Sequence, residues 1–264
     1  MQPIFRWAGS KRYLADTLIP KFPNEFERYV EPFCGSASLF FLLEPRSALL
    51  SDINEELVNA FSQVTAHPRK VAQIASDLPS DEDDYYDIRN IEPRELSPLH
   101  RAARFVYLNR LCFNGLYRTN AAGKFNVPYS GYRTAPPKSA SEMQAAAKIL
   151  KRAEVRCLDF RQCVARARRG DFFYIDPPYV SVKKRQFTDY HEKSFASTDI
   201  PRLREALRRV DTRGGKFMLS YAKCDDILPI AKEWNCEYVT TRRNIAGFAG
   251  HRKQADEVVV TNYS

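Results

Sequence analysis

The sequence has few of the features that would place a protein in a membrane, outside the cell or around a metal ion. No apolar run approaches the roughly 18 residues that a membrane-spanning helix needs, and Met1-Gln2-Pro3-Ile4-Phe5-Arg6 lacks the charged-then-apolar order of a secretion signal. The six cysteines form no C-x-x-C pair and the four histidines are dispersed, which disfavours a zinc site and a disulfide framework. We therefore expect a cytoplasmic protein without a metal, whose cysteines are mostly buried free thiols.

Acidic residues are absent from Leu96 to Ser141, although the whole chain has 32 of them beside 41 lysines and arginines, for a net charge of +9. The same stretch carries these basic residues: Arg101, Arg104, Arg110, Arg118, Lys124, Arg133 and Lys138. Directly upstream, the stretch from Asp77 to Glu95 is acidic, so the basic run is a local feature. It suits a polyanionic partner such as nucleic acid, but a solvated helix face gives the same count, and charge alone leaves both readings open.

Strand and helix patterns alternate along much of the chain. Buried strands are predicted at residues 28–30, 48–50, 172–175, 216–221 and 256–261. Helices are predicted at residues 38–43, 54–64, 143–153, 199–210 and 225–234. This alternation predicts an α/β fold with a mostly parallel sheet covered on both faces.

The alternation breaks down between Leu57 and about Ser141, where a helix around residues 99–112 is followed by a loop rich in Gly, Asn, Pro and Tyr. A segment of this length is too long for a loop inside an α/β core. We therefore predict a core made of residues 1–56 and 142–264, interrupted by an inserted domain at residues 57–141.

A turn of small residues follows the first predicted strand, in Glu31-Pro32-Phe33-Cys34-Gly35-Ser36-Ala37-Ser38. Backbone amides become available to a ligand where such a turn opens a helix. Asp52 stands at the next strand end and could accept both hydroxyls of a ribose. The chain lacks G-K-[ST] and a dinucleotide glycine spacing, which favours a nucleoside ligand without phosphates, although a tight structural turn would look the same.

The most specific motif is Asp176-Pro177-Pro178-Tyr179, after an aromatic-rich strand. The exocyclic amine of adenine is a poor nucleophile because its lone pair is delocalised into the ring. Asp176 can accept one amine hydrogen and the Pro177 carbonyl the other, which favours a pyramidal nitrogen, while Tyr179 can stack on the base. This chemistry requires a base outside the double helix, although an isolated string of this kind could also simply end a strand in a turn.

The motif is accompanied by others in a fixed order along nearly the whole chain. They are Phe5-Arg6-Trp7-Ala8-Gly9-Ser10-Lys11, the turn at Glu31, Ser51-Asp52-Ile53-Asn54, Leu108-Asn109-Arg110, Phe113-Asn114-Gly115-Leu116-Tyr117-Arg118, Phe125-Asn126-Val127-Pro128 and the motif at Asp176. The series resembles the Dam-type (D12 class, alpha group) adenine-N6 DNA methyltransferases. The resemblance implies a Rossmann-like α/β methyltransferase core dependent on S-adenosylmethionine (AdoMet), with a mainly helical target-recognition domain inserted.

The resemblance also implies roles for particular residues in the catalytic core. Those expected at the cofactor are Trp7 beside the adenosyl group, Lys11 near the methionine carboxylate, Phe33, Gly35 and Asp52 around the turn and ribose, Asp159 and Phe160 along the adenine, and Asp176. The catalytic set is Asp176, Pro177, Pro178 and Tyr179. The segment from Phe187 to Phe195 is similar to a loop that closes over the flipped base.

For DNA, the resemblance favours Arg118 as the reader of a guanine edge, with apolar contacts from Leu116 and Pro128. Phe113 is expected to wedge into the stack and Asn114 to hold the orphan base. The expected backbone contacts are Arg101, Arg104, Lys124, Arg133 and, on a hairpin-like connection running from Arg242 to Lys253, Arg252. Double-stranded DNA is thus the expected partner, a monomer or weak oligomer suffices, and 5′-GATC-3′ is the expected site.

Two positions depart from the family pattern. Ala37 replaces a usual second glycine, which is harmless at negative φ but strained in a left-handed conformation. Arg6 stands where lysine is common at a base-contacting position, which puts the sequence specificity in question. The alternatives that stay open are a catalytically silent DNA-binding protein of the same fold, a methylase of another target site, and methylation of the cytosine amine.

Overall fold

The computed structural model describes residues 1–131, 136–179, 195–242 and 254–264, and in it a central sheet lies between two layers of helices. The strands are β1 (Arg28–Glu31), β2 (Ala48–Asp52), β3 (Ala153–Cys157), β4 (Asp171–Ile175), β5 (Lys216–Ala222), β6 (Asn235–Arg242) and β7 (Gln254–Thr261). Their order across the sheet is β3-β2-β1-β4-β5-β7-β6. The first five strands in this order are parallel, and β7 runs antiparallel between β5 and β6. The mostly parallel α/β fold predicted from the sequence is confirmed.

The helices are α1 (Ala15–Leu18), α2 (Ser38–Leu43), α3 (Glu55–Ala66), α4 (Pro68–Asp77), α5 (Glu82–Asn90), α6 (Pro98–Leu111), α7 (Ala140–Leu150), α8 (Phe160–Val164), α9 (Ile200–Thr212) and α10 (Leu228–Ala231). Local signals fix several starts. The Asn54 side chain caps α3 by accepting from the Leu57 amide, and Ser139 with Glu142 forms a capping box that starts α7 earlier than predicted. Pro229 lacks the amide hydrogen to continue a helix from Asp225, so the predicted helix there is reduced to a 3-10 turn and the short α10.

Alternate side chains of the central strands point to opposite faces of the sheet. Tyr29, Phe172 and Tyr174 face the layer formed by α2, α3, α4, α6 and α7. Val30 and Phe173 face the layer of α8, α9 and α10. Because both faces are covered, the carboxyl ends of the parallel strands are the open edge where a site can form.

The segment from 57 to 141 contributes to two apolar clusters. Its helices α3, α4 and α6 pack with α7 against the sheet and share the main core. A smaller cluster contains Tyr85, Tyr107 and Val127, from α5, the middle of α6 and the chain that follows. This second cluster holds the region between α5 and residue 129 together, and the boundaries of the inserted domain stay a prediction.

Within the described ranges, no group of His, Cys, Asp and Glu side chains is arranged to hold a metal ion. A search of the same residues for a helix that is both long enough and apolar enough to cross a membrane finds none.

Candidate active site and DNA-binding surface

A cleft of about 1610 Å³ opens at the carboxyl ends of β1, β2 and β4. It is lined by all the residues that the sequence assigned to catalysis or to the cofactor: Trp7, Lys11, Phe33, Gly35, Asp52, Asp159, Phe160, Asp176, Pro177, Pro178 and Tyr179. Pockets for one small ligand usually measure roughly 300–1,000 Å³. The cleft therefore has room for a cofactor and a second group beside it.

The turn after β1 is held closed by the strand next to it. The Gly35 amide donates to Oδ2 of Asp52 over 3.0 Å, and the Asn54 amide donates to Oδ1 of the same carboxylate over 3.0 Å. Gly35 has a φ of +47°, and a Cβ at this position would lie 2.6 Å from Cδ1 of Trp7. The glycine is thus required twice, by its backbone conformation and by the close approach of the indole.

Ala37 ends the same turn in a left-handed conformation, with φ 51° and ψ 40°. This is the strained case identified from the sequence, since a residue with a Cβ in this region costs about 1–2 kcal/mol. The turn nevertheless closes, because the Ala37 amide donates to the Cys34 carbonyl over 2.6 Å. The missing glycine strains the turn without removing it.

An aromatic wall borders the cleft on the side of α8. The rings of Phe33 and Phe160 are stacked with centroids 5.3 Å apart, and Phe195 meets both rings edge-on. Asp159 caps α8 and lies 3.9 Å from the guanidinium of Arg202, which itself sits over the Phe160 ring. Stacked aromatic rings beside charged groups with hydrogen-bonding capacity suit a planar heterocycle with amino groups.

Asp176 follows directly after the fully buried β4, so the strand aims its carboxylate into the cleft. Its Oδ1 accepts a hydrogen bond from Lys11 Nζ over 2.6 Å, and the same ammonium donates to the Tyr179 hydroxyl over 2.7 Å. The Lys11 side chain is only 3% exposed. The structure therefore joins the N-terminal motif to the Asp-Pro-Pro-Tyr motif, and the expected contact of Lys11 with a methionine carboxylate stays a prediction.

Burial perturbs two further groups at the same strand ends. It raises the pKa of the Glu31 carboxyl well above its ordinary value, and the nearby Asp176 and Asp52 carboxylates add to the rise, while a hydrogen bond from Tyr29 opposes it. Burial also raises the pKa of the Cys34 thiol. A thiol with a raised pKa forms little thiolate, so Cys34 fits the buried structural role expected for the cysteines.

The chain from Cys112 to Tyr129 forms an irregular two-stranded ribbon beside the cleft. Bridges join Cys112 to Tyr129 and Thr119 to Phe125, and the Asn126 amide donates to the Arg118 carbonyl. The ribbon brings together six of the predicted DNA contacts: Phe113, Asn114, Leu116, Arg118, Lys124 and Pro128. Phe113, a large apolar side chain, is 41% exposed at the ribbon's start. An exposed aromatic on a basic ribbon fits a nucleic-acid contact better than a core position.

The ribbon is joined to the N-terminal motif through Tyr117 and through Asn109, a residue near the end of α6 that donates to the Gly115 carbonyl of the ribbon. Asn109 accepts from the Arg6 amide over 2.9 Å and donates to the Arg6 carbonyl over 2.8 Å. The Tyr117 ring stacks on Trp7 with centroids 5.5 Å apart and an interplanar angle of 22°. Trp7 thus touches the turn at Gly35 on one side and the ribbon on the other.

Two arginines predicted as phosphate contacts form hydrogen bonds or ion pairs with other residues of the protein. Arg104 is 6% exposed, and its guanidinium donates to the Ile88 and Arg89 carbonyls at the end of α5. Arg101 forms ion pairs with Glu55 and Glu56 at the start of α3. The expectation that Arg104 contacts a phosphate does not fit this burial, and Arg101 is largely neutralised by its two partners.

Other expectations fall outside the described residues. They are the contacts of Arg133 and Arg252, the basic connection between residues 243 and 253, and the closing segment except Phe195. Three further residues contact the predicted site residues although the sequence analysis did not single them out, namely Tyr117, Asn109 and Glu257. Tyr117 and Asn109 lie within quoted motifs. Glu257 follows Asp256 and precedes Val258-Val259-Val260, and a charged residue within a buried strand is usually paired.

Comparison with known proteins gives consistent matches over the whole chain. A family model described as D12 class N6 adenine-specific DNA methyltransferase matches residues 7–245. A Type II methyltransferase of Lactococcus lactis subsp. cremoris is 30% identical over 272 residues, covering 100% of this chain and 96% of that protein. The DNA adenine methylase of Escherichia coli strain K12 is 32% identical over 263 residues, covering 96% of this chain and 92% of that protein.

Proposed function

Because the chain belongs to the D12 class N6 adenine-specific DNA methyltransferases, we propose that it transfers the methyl group of AdoMet to the N6 amine of an adenine flipped out of duplex DNA. The observation that carries this proposal is the single cleft lined by Trp7, Asp52 and Asp176. If Asp176 lay outside this cleft, the residues proposed for the cofactor would be too far from the motif proposed to hold the amine. The size of the cleft supports simultaneous binding of a cofactor and a base.

The lining residues fit AdoMet by their chemistry. Asp52 is placed for the ribose, since an ionised carboxylate can accept about four hydrogen bonds and so can add ribose hydroxyls to its two backbone partners. Phe33 and Phe160 offer an aromatic surface to the adenine, and Trp7 covers the turn at Gly35. When bound, AdoMet supplies a methyl group on a positively charged sulfur.

The residues of the Asp-Pro-Pro-Tyr motif then hold the amine. The carboxylate of Asp176 accepts one N6 hydrogen and the Pro177 carbonyl accepts the other, which localises the lone pair on nitrogen. The Lys11 ammonium donates to Oδ1 of Asp176 and so helps to hold this carboxylate in the cleft. Tyr179 stacks on the extruded ring, and unstacking the base costs a few kcal/mol that these contacts offset.

The ribbon from Cys112 to Tyr129 is the proposed DNA-reading element. Arg118 donates to the Asn126 side chain through Nε and to the Asn126 carbonyl through Nη2, which fixes the direction of its guanidinium. A guanidinium held in this way can still offer two hydrogens of its outer edge to O6 and N7 of guanine. Lys124 is exposed and suits a phosphate. One subunit acts on one strand, so a monomer or a weakly associating protein is sufficient.

The proposed site, 5′-GATC-3′, rests on the resemblance of residues 113–118 to GATC-modifying members of the family. A plasmid from expressing cells without their own GATC methylation should resist a nuclease that is blocked by methylated GATC. A nuclease indifferent to methylation should still cut it. Normal cutting by the first enzyme, with methyladenine found elsewhere by long-read sequencing of modified bases, would identify another target. Equilibrium binding of labelled AdoMet separates an enzyme from a silent DNA-binding protein.

Replacing Arg118 with Ala should cost about 1–3 kcal/mol of discrimination at one base pair of the site, because it removes a bidentate base contact. The measurement is competition binding with duplexes changed at each position in turn. Lys124→Ala is the matched control, since it should weaken all duplexes equally and lower the salt dependence. Uniform weakening by Arg118→Ala as well would make Arg118 a backbone contact.

A further inference from the structure

Glu257, on the last strand, is an ionisable side chain with no exposed surface. It lies on β7, between β5 and β6, and the residues that follow it are Val258, Val259 and Val260. Its relative exposure is 0%. A carboxylate in such surroundings is strongly disfavoured unless it is paired and hydrogen-bonded. The groups that contact the Glu257 carboxylate therefore indicate its role.

Three hydroxyl donors and one ammonium converge on this carboxylate from three parts of the chain. Oε1 accepts from the Tyr179 hydroxyl over 3.0 Å and from the Tyr13 hydroxyl over 3.2 Å. Oε2 accepts from the Ser220 hydroxyl over 2.9 Å and lies 3.8 Å from Lys11 Nζ. Two of the four, Lys11 and Tyr179, line the cleft and contact each other.

The direction of the hydrogen bonds in this group is fixed by chemistry. Lys11 can only donate, so the Tyr179 hydroxyl accepts from it and gives its own hydrogen to Glu257. Lys11 also donates to Asp176, which places its ammonium between two carboxylates. Glu257 thus orients the hydroxyl of the motif's tyrosine and supplies a second counter-charge to the lysine that holds its aspartate.

We propose that Glu257 is a positioning residue for methyl transfer, which acts through the Tyr179 hydroxyl and the Lys11 ammonium to hold the amine-binding end of the cleft. The inference rests on the proposed role of Asp176. The Lys11 ammonium forms ion pairs with both Glu257 and Asp176, so its charge is divided between the two carboxylates. It also fixes the tilt of the Tyr179 ring, on which the base is proposed to stack.

Glu257→Gln keeps the shape of the side chain and removes its charge. An amide has one accepting oxygen and presents two hydrogens, so it cannot accept from all three hydroxyls, and being neutral it cannot form an ion pair with Lys11. The Tyr179 hydroxyl loses its fixed partner and Lys11 is drawn wholly to Asp176. Because misplacement of reacting groups by about 1 Å can cost roughly 100-fold in rate, we expect single-turnover methylation to fall about 10- to 100-fold. The dissociation constant for AdoMet should stay within about threefold, since the variant leaves Phe33, Phe160 and Asp52 in place and changes only the ion pairs of Lys11 among the cofactor residues.

The experiment compares single-turnover rates, AdoMet binding and urea unfolding for the full-length protein and its variants. Tyr13→Phe is the matched control, because it removes one hydroxyl from the same carboxylate on the exposed side, and it should leave the rate within about twofold. Glu257→Asp keeps the charge on a shorter side chain and should recover part of the rate. Tyr179→Phe combined with Glu257→Gln should lose little beyond the more affected single variant, since both act through one hydroxyl.

A rate for Glu257→Gln within twofold of the parent protein would overturn the inference. A loss of AdoMet affinity in Glu257→Gln as large as its loss in rate would also overturn the inference. The same holds if the double variant loses as much rate as the two single variants combined. If Glu257→Gln does not fold, the inference would be overturned if Glu257→Asp and Tyr179→Phe both methylate DNA at the rate of the parent protein. The parent protein's own transfer of labelled methyl to DNA tests the proposed function, whereas the ratio of variant to parent rates tests this inference.

Discussion

Asp176→Asn should lower the rate of methyl transfer by about 10²- to 10⁴-fold while the protein still binds AdoMet. The substitution keeps the shape of the side chain but replaces one accepting oxygen with a donor, which opposes the amine that the carboxylate is proposed to hold. Among the described residues, it also leaves Glu257, 3.8 Å away, as the carboxylate that pairs with the buried Lys11 ammonium. The measurement is single-turnover transfer of labelled methyl to duplex DNA.

Asp211→Asn provides the control for this variant. Asp211 accepts from the Trp234 indole and from Asn262 at an exposed position on the side of the sheet that carries α9. The same chemical change there should leave methyl transfer unaltered. Near-normal turnover in Asp176→Asn would defeat the proposed mechanism, and complete loss of AdoMet binding would mean that Asp176 serves mainly the cofactor.

Gly35→Ala is expected to weaken AdoMet binding at least about tenfold. The new Cβ would lie 2.6 Å from Cδ1 and 2.9 Å from Nε1 of Trp7, so the indole or the turn must move. The φ of +47° adds backbone strain of about 1 kcal/mol or more. Since Trp7 and the turn both line the cleft, the cofactor wall is displaced along with them. Binding of labelled AdoMet at equilibrium gives the affinity.

Gly214→Ala separates the effect of the displaced indole from that of backbone strain. Gly214 has a φ of +73°, and a Cβ there would come no closer than 3.5 Å to its neighbours. This variant should lose stability in urea unfolding and keep its AdoMet affinity. If both glycine variants bind AdoMet as the parent does, Trp7 is not a wall of the cofactor site.

Those parts of the fold that depend on local chemistry were predictable from the sequence. The strand before Asp176 contains the run Phe172-Phe173-Tyr174-Ile175, which is buried on both faces, and such runs are typical of central parallel strands. The helix α2 has the predicted limits, Ser38–Leu43. By contrast, the sequence did not predict β6, an edge strand with the sequence Asn-Cys-Glu-Tyr-Val-Thr-Thr-Arg, because its mostly polar residues contain no apolar run of the kind that marks a buried strand.

The candidate site was predictable where residues act at strand ends and unpredictable where partners come from distant segments. Asp52 and Asp176 line one cleft because the carboxyl ends of parallel strands meet at one edge. The contact between Lys11 and Asp176 joins residues 165 positions apart, and spacing along the chain cannot indicate such a pair. Counting basic residues likewise overstated the DNA surface, because a guanidinium such as that of Arg104 can satisfy itself on carbonyls within the fold.

The indole of Trp7 has neighbours of two kinds, since it packs on the Gly35 turn and stacks on Tyr117 of the ribbon. A displacement of this ring at one contact must be accommodated at the other. We therefore expect substitutions at Trp7 to change the affinities for AdoMet and for DNA together. If bound AdoMet changes the affinity for DNA by a given factor, thermodynamic linkage requires that bound DNA change the affinity for AdoMet by the same factor.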